Sequence, residues 1–225
     1  MMNRKEQIDK ERLPKHIAVI MDGNGRWAKE HGKPRLFGHQ SAITAVRETA
    51  EAAAEIGVSY LTLYAFSTEN WNRPALEVNG LMSLLANTIR TEVATLNKNN
   101  IRLNAIGDLQ SLPKSNYDHL QQAIADTSAN TRMTLTLALS YSGHWDITQA
   151  ARRVAQEVAA GRMNPQDINP STFSNYLSTS GMPDPEMLVR TSGEERISNF
   201  LLWQMAYAEL YFTDTLWPDF NEKSL

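Results

Sequence analysis

The chain has 225 residues, 42% of them hydrophobic and 21% charged, with a formal net charge of −3. That balance fits one ordinary globular domain with a full core, and the lack of an overall basic field excludes nucleic acid as a partner. The absence of cysteine removes disulfide and thiolate chemistry and accords with a cytoplasmic location. Residues 1–12 are charged rather than apolar, so they read as a flexible N-terminal arm and not as a signal peptide. No apolar run reaches the about 18–20 residues of a membrane span. The single domain is expected from 13 to 225.

The first element is an apolar strand at 17–21 that stops at Asp22 and gives way to Gly23, Asn24, Gly25 and Arg26. A buried strand delivering a carboxylate to its C-terminal end, then a glycine turn opening a helix, places these residues where α/β sheets gather ligands. Backbone N–H groups in such a turn suit a phosphate, and the carboxylate suits the divalent cation a phosphate brings. An aspartate that only caps the next helix would look the same. A helix at 39–56 follows, closed by Gly57, with Arg35 and His39 spaced to share one face.

A second strand, 60–66, runs into Phe66, Ser67, Thr68, Glu69, Asn70, Trp71, Asn72 and Arg73, a polar loop rich in hydroxyl, amide, indole and guanidinium groups. Next come a helix at 77–98, a strand at 101–106, a helix at 114–129, a strand at 133–139 and a helix at 144–160 ended by Gly161. Leu81, Leu84, Leu85 and Ile89 fall at core spacing on the 77–98 helix, and Met133, Leu135, Leu137 and Leu139 alternate on the strand. Such rows serve either as plain core or as the lining for an isoprenoid or acyl ligand.

A strand at 187–190 leads into Arg190, Thr191, Ser192, Gly193, Glu194, Glu195, Arg196 and Ser198, a fork of donors able to hold a diphosphate. A helix is expected at 196–205 and a last strand at 209–212. Glu209 stands in a very apolar run and needs a partner, either a metal or a buried arginine. The alternation implies an α/β fold with a central, mostly parallel sheet flanked by helices. Grouping Arg26, Arg35, Arg73, Arg190 and Arg196 on one rim makes sense for a highly charged ligand, because isolated surface pairs contribute only about 0–1 kcal/mol each.

Five blocks, HIAVIMDGNGRWA (16–28), RLFGH (35–39), FSTENWNRP (66–74), RTSGEERISNFLLWQ (190–204) and ELYFTDTLWPDF (209–220), resemble the cis-prenyltransferases, in their bacterial undecaprenyl diphosphate synthase branch. The resemblance implies Mg2+-dependent condensation of isopentenyl diphosphate onto an allylic primer, farnesyl diphosphate. It also implies an apolar tunnel, a homodimer, and a lipid product that brings a cytoplasmic enzyme to the inner membrane surface. That product would be undecaprenyl diphosphate, the carrier precursor for cell-wall glycan.

By the same resemblance, Asp22 would coordinate Mg2+ with help from Glu209. Gly23, Asn24, Gly25, Arg26, Trp27, Arg35 and His39 would bind the allylic diphosphate. Phe66, Ser67, Asn70, Trp71 and Arg73 would form a mobile loop between the substrates, with catalytic roles for Ser67, Asn70 and Arg73 and with Glu77 at its hinge. Arg190, Arg196 and Ser198 would hold isopentenyl diphosphate, and Met133 would lie near the tunnel's closed end. The chain departs from the family where Asn-Tyr-Gly-Gly-Arg is replaced by Ser140-Tyr141-Ser142-Gly143-His144, and through Leu225 it shows no basic helix with an Arg-x-Gly tail. A non-catalytic partner subunit of the same fold is the alternative. A phosphatase or nucleotide hydrolase finds no Walker A pattern or nucleophilic Cys to support it.

Overall fold

A computed structural model describes residues 7–225. In chain order the elements are β1 (His16–Ile20), α1 (Asn24–Glu30), α2 (Arg35–Ile56), β2 (Tyr60–Ser67), α3 (Ala75–Lys98) and β3 (Ile101–Ile106). They continue as α4 (Lys114–Asp126), β4 (Met133–Tyr141), α5 (Gly143–Ala159), α6 (Pro170–Ser174), β5 (Met187–Arg190) and β6 (Glu209–Phe212). The strands make one six-stranded sheet in the order β3-β4-β2-β1-β5-β6. Every pairing is parallel, so the expected mostly parallel sheet is parallel throughout. Half of the N-terminal arm, residues 1–6, lies outside the described residues. Residues 8–12 carry neither helix nor strand.

Burial on both faces explains the near-continuous apolar runs of β1 and β2. Ile17, Val19, Leu61 and Leu63 point into one core with α2, α3 and α4, while Ala18, Ile20, Tyr141, Phe200 and Leu201 build the other. Small residues let the layers approach closely. A Cβ on Gly38 of α2 would lie 1.9 Å from the Asn24 carbonyl oxygen of α1, so only glycine fits that crossing.

One expected helix is absent. Residues 196–205 form turns, because Ser198 (φ 47°), Asn199 (φ 60°) and Leu201 (φ 42°) adopt left-handed backbone that cannot continue an α-helix. Burial of Phe200 and Leu201 holds that shape. Helix α2 also begins four residues before the expected 39, at Arg35 behind Pro34. No helix among the described residues is long and apolar enough to cross a membrane.

Candidate active site

The site lies at the C-terminal ends of β1, β2 and β5. Asp22 lies two residues past the end of β1, and its carboxylate is fixed by two neighbours. Gly23 N–H donates to Oδ1 at 2.7 Å, and Arg190 Nη2 donates to Oδ2 at 3.0 Å. Thr191 pins the turn by accepting from Asp22 N–H (2.9 Å) and donating to the Asp22 carbonyl (2.7 Å). Burial opposes ionisation of Asp22, but the Arg190 hydrogen bond, the Gly23 N–H and the Arg26 charge outweigh it and hold the pKa below its ordinary value. Gly23 has φ 107°, and a Cβ there would meet Leu216 and Ser192 at 2.9 and 3.0 Å. The glycine is needed for both reasons.

Arg190 is only 4% exposed. Its Nη1 donates to Ser198 Oγ at 2.6 Å and to the Arg196 carbonyl, which draws the 196–199 turn over the end of β5. Arg26 donates to Ser192 Oγ at 2.6 Å and pairs with Glu194, which also receives Arg196. Arg35 and Arg73 share Glu77, at 3.2 and 3.0 Å. Five guanidinium groups thus share three carboxylates (Asp22, Glu194, Glu77). Guanidinium groups gathered at one opening suit an anionic ligand.

Residues 68–72 form a short 3-10 turn locked by a capping box between Ser67 and Asn70, whose Oδ1 accepts from Ser67 N–H at 3.0 Å. The turn is tied at two further points. Trp71 Nε1 donates to Ser140 Oγ at 2.8 Å, and Asn199 Nδ2 donates to Glu69 at 2.9 Å. His39 faces Asn24 across the opening at 3.5 Å. Burial first, then the Arg73 and Arg35 charges, lower its pKa to about 4, so the ring is neutral at physiological pH.

Below this rim a cavity of about 690 Å³ runs between α2, α3 and the sheet. Asp22, Asn24, His39, Phe66, Ser67, Asn70, Arg73, Arg190 and Ser198 line its mouth, and Leu81, Leu84, Leu85, Leu135, Leu137 and Leu139 line its interior. The periodic leucines therefore serve cavity wall and core together. Three buried polar atoms around the mouth have no protein partner: Asn24 Oδ1, His39 Nε2 and Arg190 Nε. Unsatisfied buried groups converging on an opening are what a polar ligand would complete.

Several candidates lie away from the cavity wall. Gly23, Gly25, Arg26, Trp27, Arg35, Trp71, Glu77 and Arg196 surround the mouth or support it rather than line it. Trp27 stacks on His31 and donates to Asp219 at 2.7 Å. Met133 is 2% exposed in the core and does not line the cavity. Glu209 is not brought to Asp22 within the chain. It pairs in register with Met187, at the opposite end of the strands, on the exposed edge strand β6. Among the described residues no group of three or more His, Cys, Asp or Glu side chains could hold a metal. Sequence reasoning flagged the Ser140 block only as a departure and missed its role as anchor for Trp71.

The chain and its fold are similar to known proteins. The chain is 54% identical over 213 residues to an isoprenyl transferase of Porphyromonas gingivalis, covering 95% of this chain and 84% of that protein. It is 51% identical over 223 residues to the ditrans,polycis-undecaprenyl-diphosphate synthase ((2E,6E)-farnesyl-diphosphate specific) of Haemophilus ducreyi, covering 99% and 92%. The crystal structure of lavandulyl diphosphate synthase from Lavandula x intermedia, in complex with dimethylallyl diphosphate, superposes with a TM-score of 0.92 at 38% identity, covering 95% of this chain and 92% of that one. A model of the family described as "Putative undecaprenyl diphosphate synthase" matches residues 20–225, and the chain belongs to that family of cis-prenyltransferases.

Proposed function

We propose that the chain condenses isopentenyl diphosphate onto farnesyl diphosphate with cis geometry, in successive rounds, to a long polyprenyl diphosphate of the undecaprenyl type. The observation that carries this reading is the meeting of an arginine-rich rim, with three unpartnered buried polar atoms, and an apolar cavity directly beneath it. A diphosphate head and a hydrocarbon tail match those two halves.

In this reading the allylic diphosphate sits by Gly23–Arg26, Arg35 and His39, and the diphosphate of isopentenyl diphosphate is held by Arg190, Arg196 and Ser198. The neutral His39 ring offers a hydrogen bond rather than a charge. The allylic C–O bond breaks as the isopentenyl double bond forms the new C–C bond. The positive charge this leaves on C3 of the isopentenyl unit is discharged as C2, beside Ser67 and Asn70, loses a proton to an oxygen of the departed diphosphate and the C2–C3 double bond forms. Arginines and backbone N–H groups stabilise the departing diphosphate, whose charge grows in the transition state. Holding both reactants on one rim removes an entropic barrier, and the capped 68–72 turn keeps water from the cationic allylic carbon.

The half-buried Asp22 carboxylate fits a Mg2+ carried on the substrate diphosphate, since Mg2+ is commonly held by one or two carboxylates plus phosphate oxygens rather than by an all-protein cage. When bound, the ion neutralises the leaving diphosphate. We also infer a homodimer formed along β6, where Tyr207, Leu210 and Tyr211 are 99%, 52% and 50% exposed, and a peripheral visit to the inner membrane to deliver the lipid.

The test is incorporation of labelled isopentenyl diphosphate with farnesyl diphosphate and Mg2+, with products resolved by chain length. A ladder that disappears with EDTA is expected; no incorporation by folded protein would refute the reading.

A further inference from the structure

Asn199 joins three parts of the site. It follows Ser198, whose Oγ accepts from Arg190 Nη1 at 2.6 Å, so its place is set from the end of β5. Its carbonyl accepts from Gly143 N–H at 2.6 Å, and its side-chain Oδ1 accepts from His144 N–H at 3.0 Å. Both donors lie in the first turn of α5, where no earlier residue of the helix can satisfy them. Gly143 eases this approach, since a Cβ there would lie 2.5 Å from the Leu202 side chain. A backbone N–H can only donate, so the His144 bond fixes which end of the amide is oxygen. The Nδ2 end faces the other way and donates to Glu69 Oε1 at 2.9 Å. Burial opposes ionisation of Glu69, but the Asn199 bond, its own N–H and the Ser67 and Thr68 hydroxyls hold its pKa below the ordinary value.

The two outer ties of the 68–72 turn therefore differ in kind. Trp71 is tied to Ser140, which is buried at the end of β4. Glu69 is tied to a half-buried residue beside Ser198, at the mouth of the cavity. We propose that Asn199 is a positioning residue that couples the turn holding isopentenyl diphosphate to the turn covering the mouth. The inference deepens the reading above and rests on it. A diphosphate on Arg190, Arg196 and Ser198 steadies residues 196–199. Asn199 passes this on, because its oxygens are committed to α5 and its amide N–H is aimed at Glu69. The covering turn is then held most firmly when the second substrate is present. That order matters, because an allylic carbon that loses its diphosphate before a double bond is in reach is open to water. By linkage, the same contact raises the affinity for isopentenyl diphosphate when the turn is closed.

Asn199→Asp isolates the contact. It keeps the shape, the tolerance for left-handed backbone (φ 60°) and the acceptor for His144 N–H, and it turns the donor into an oxygen facing the Glu69 carboxylate. Adding Glu69→Gln sets an amide donor opposite the new carboxylate and remakes the bond with its direction reversed. In ligand-free protein, hydrogen exchange across 68–73 should quicken by about threefold or more in Asn199→Asp and return toward the parent in the double variant. Isopentenyl diphosphate alone, with no allylic substrate and so no turnover, should slow exchange across 68–73 in the parent and the double variant but not in Asn199→Asp. In the incorporation assay, KM for isopentenyl diphosphate should rise roughly tenfold in Asn199→Asp, the worth of one charge-assisted hydrogen bond, and recover in the double variant. A residue that only supported the fold would show no such paired recovery. Parent-like exchange across 68–73 in Asn199→Asp, or a loss that Glu69→Gln fails to restore, would overturn the coupling. So would isopentenyl diphosphate that protects 190–199 in the parent and leaves 68–73 unaffected. No protection at 190–199 in the parent would instead refute the functional reading; the ligand-free comparison, which needs no substrate, then decides the coupling between the two turns by itself. Should Asn199→Asp not fold, Glu69→Ala, which leaves Asn199 and α5 intact, should quicken exchange across 68–73 in the same way, and parent-like exchange there counts against the proposal equally.

Discussion

Trp71 donates its indole N–H to the hydroxyl of Ser140 at 2.8 Å, which joins the turn over the cavity mouth to the end of β4. Ser111 Oγ donates to the same oxygen at 2.8 Å, and Ser140 itself is buried with φ 47°. The block that departs from the family pattern thus supports the turn rather than breaking the site. Ser140→Ala should free the indole and loosen residues 68–73, lowering kcat/KM by roughly tenfold, the worth of one hydrogen bond of about 1 kcal/mol or slightly more. Ser140→Asn keeps an acceptor, and asparagine tolerates left-handed backbone better, so activity should be retained. Hydrogen exchange across 68–73 together with steady-state kinetics checks both variants. Parent-like exchange and kinetics in Ser140→Ala would remove Ser140 from this role.

The Asp22–Arg190 pair couples stability to activity. Asp22→Asn keeps the shape but leaves Arg190, buried at 4% exposure, without a counter-charge. Asp22 is itself 35% exposed, so the penalty falls below that of a fully buried pair, at about 1–3 kcal/mol. Turnover should fall by roughly 100-fold or more, because the carboxylate acts where charge develops. Urea unfolding and the incorporation assay report the two effects separately. A fully active Asp22→Asn protein would contradict the role given to the carboxylate.

Much of this architecture was legible because it depends on periodicity and punctuation. The apolar runs ending at Asp22, Phe66 and Arg190 all proved to be adjacent or near-adjacent parallel strands, and so their polar successors share one rim. The 196–205 segment failed as a helix because its left-handed residues are imposed by burial of Phe200 and Leu201 and by Arg190 gripping a carbonyl, which are tertiary causes. Glu209 failed to join Asp22 for a related reason. Proximity to a strand says nothing of which end of that strand a residue occupies, and the β5–β6 register puts Glu209 at the far end.

Gly23→Ala tests the turn itself. The positive φ of 107° is unfavourable for any L-residue, and the new methyl would press on Leu216 at 2.9 Å and Ser192 at 3.0 Å. The expected cost is about 1–3 kcal/mol of stability. Relief by shifting the turn would also move Asp22 and its bond to Gly23 N–H. Both the melting temperature and the incorporation rate should therefore drop, whereas Gly32→Ala, with nothing within 4 Å of its Cβ, should lower stability modestly and leave the rate alone. A Gly23→Ala protein with the parent's melting temperature and rate would show that the turn does not depend on glycine.

His39 provides a pH signature. Its folded-state pKa is lowered from the ordinary 6.5 to about 4, chiefly by burial. Between these two values the unfolded chain binds a proton that the folded protein refuses, so protonation favours unfolding. The contribution of neutral His39 is thus fully present above about pH 6.5 and is lost as the pH falls toward about 4, with a slope of at most about 1.4 kcal/mol per pH unit. His39→Gln carries no titrating group, so its unfolding free energy should fall less steeply over that window. Urea midpoints for parent and variant at half-unit steps from pH 4.5 to 7.5 measure the difference. Parallel curves would mean that His39 binds its proton equally readily in the folded and unfolded chain, contrary to burial keeping it neutral.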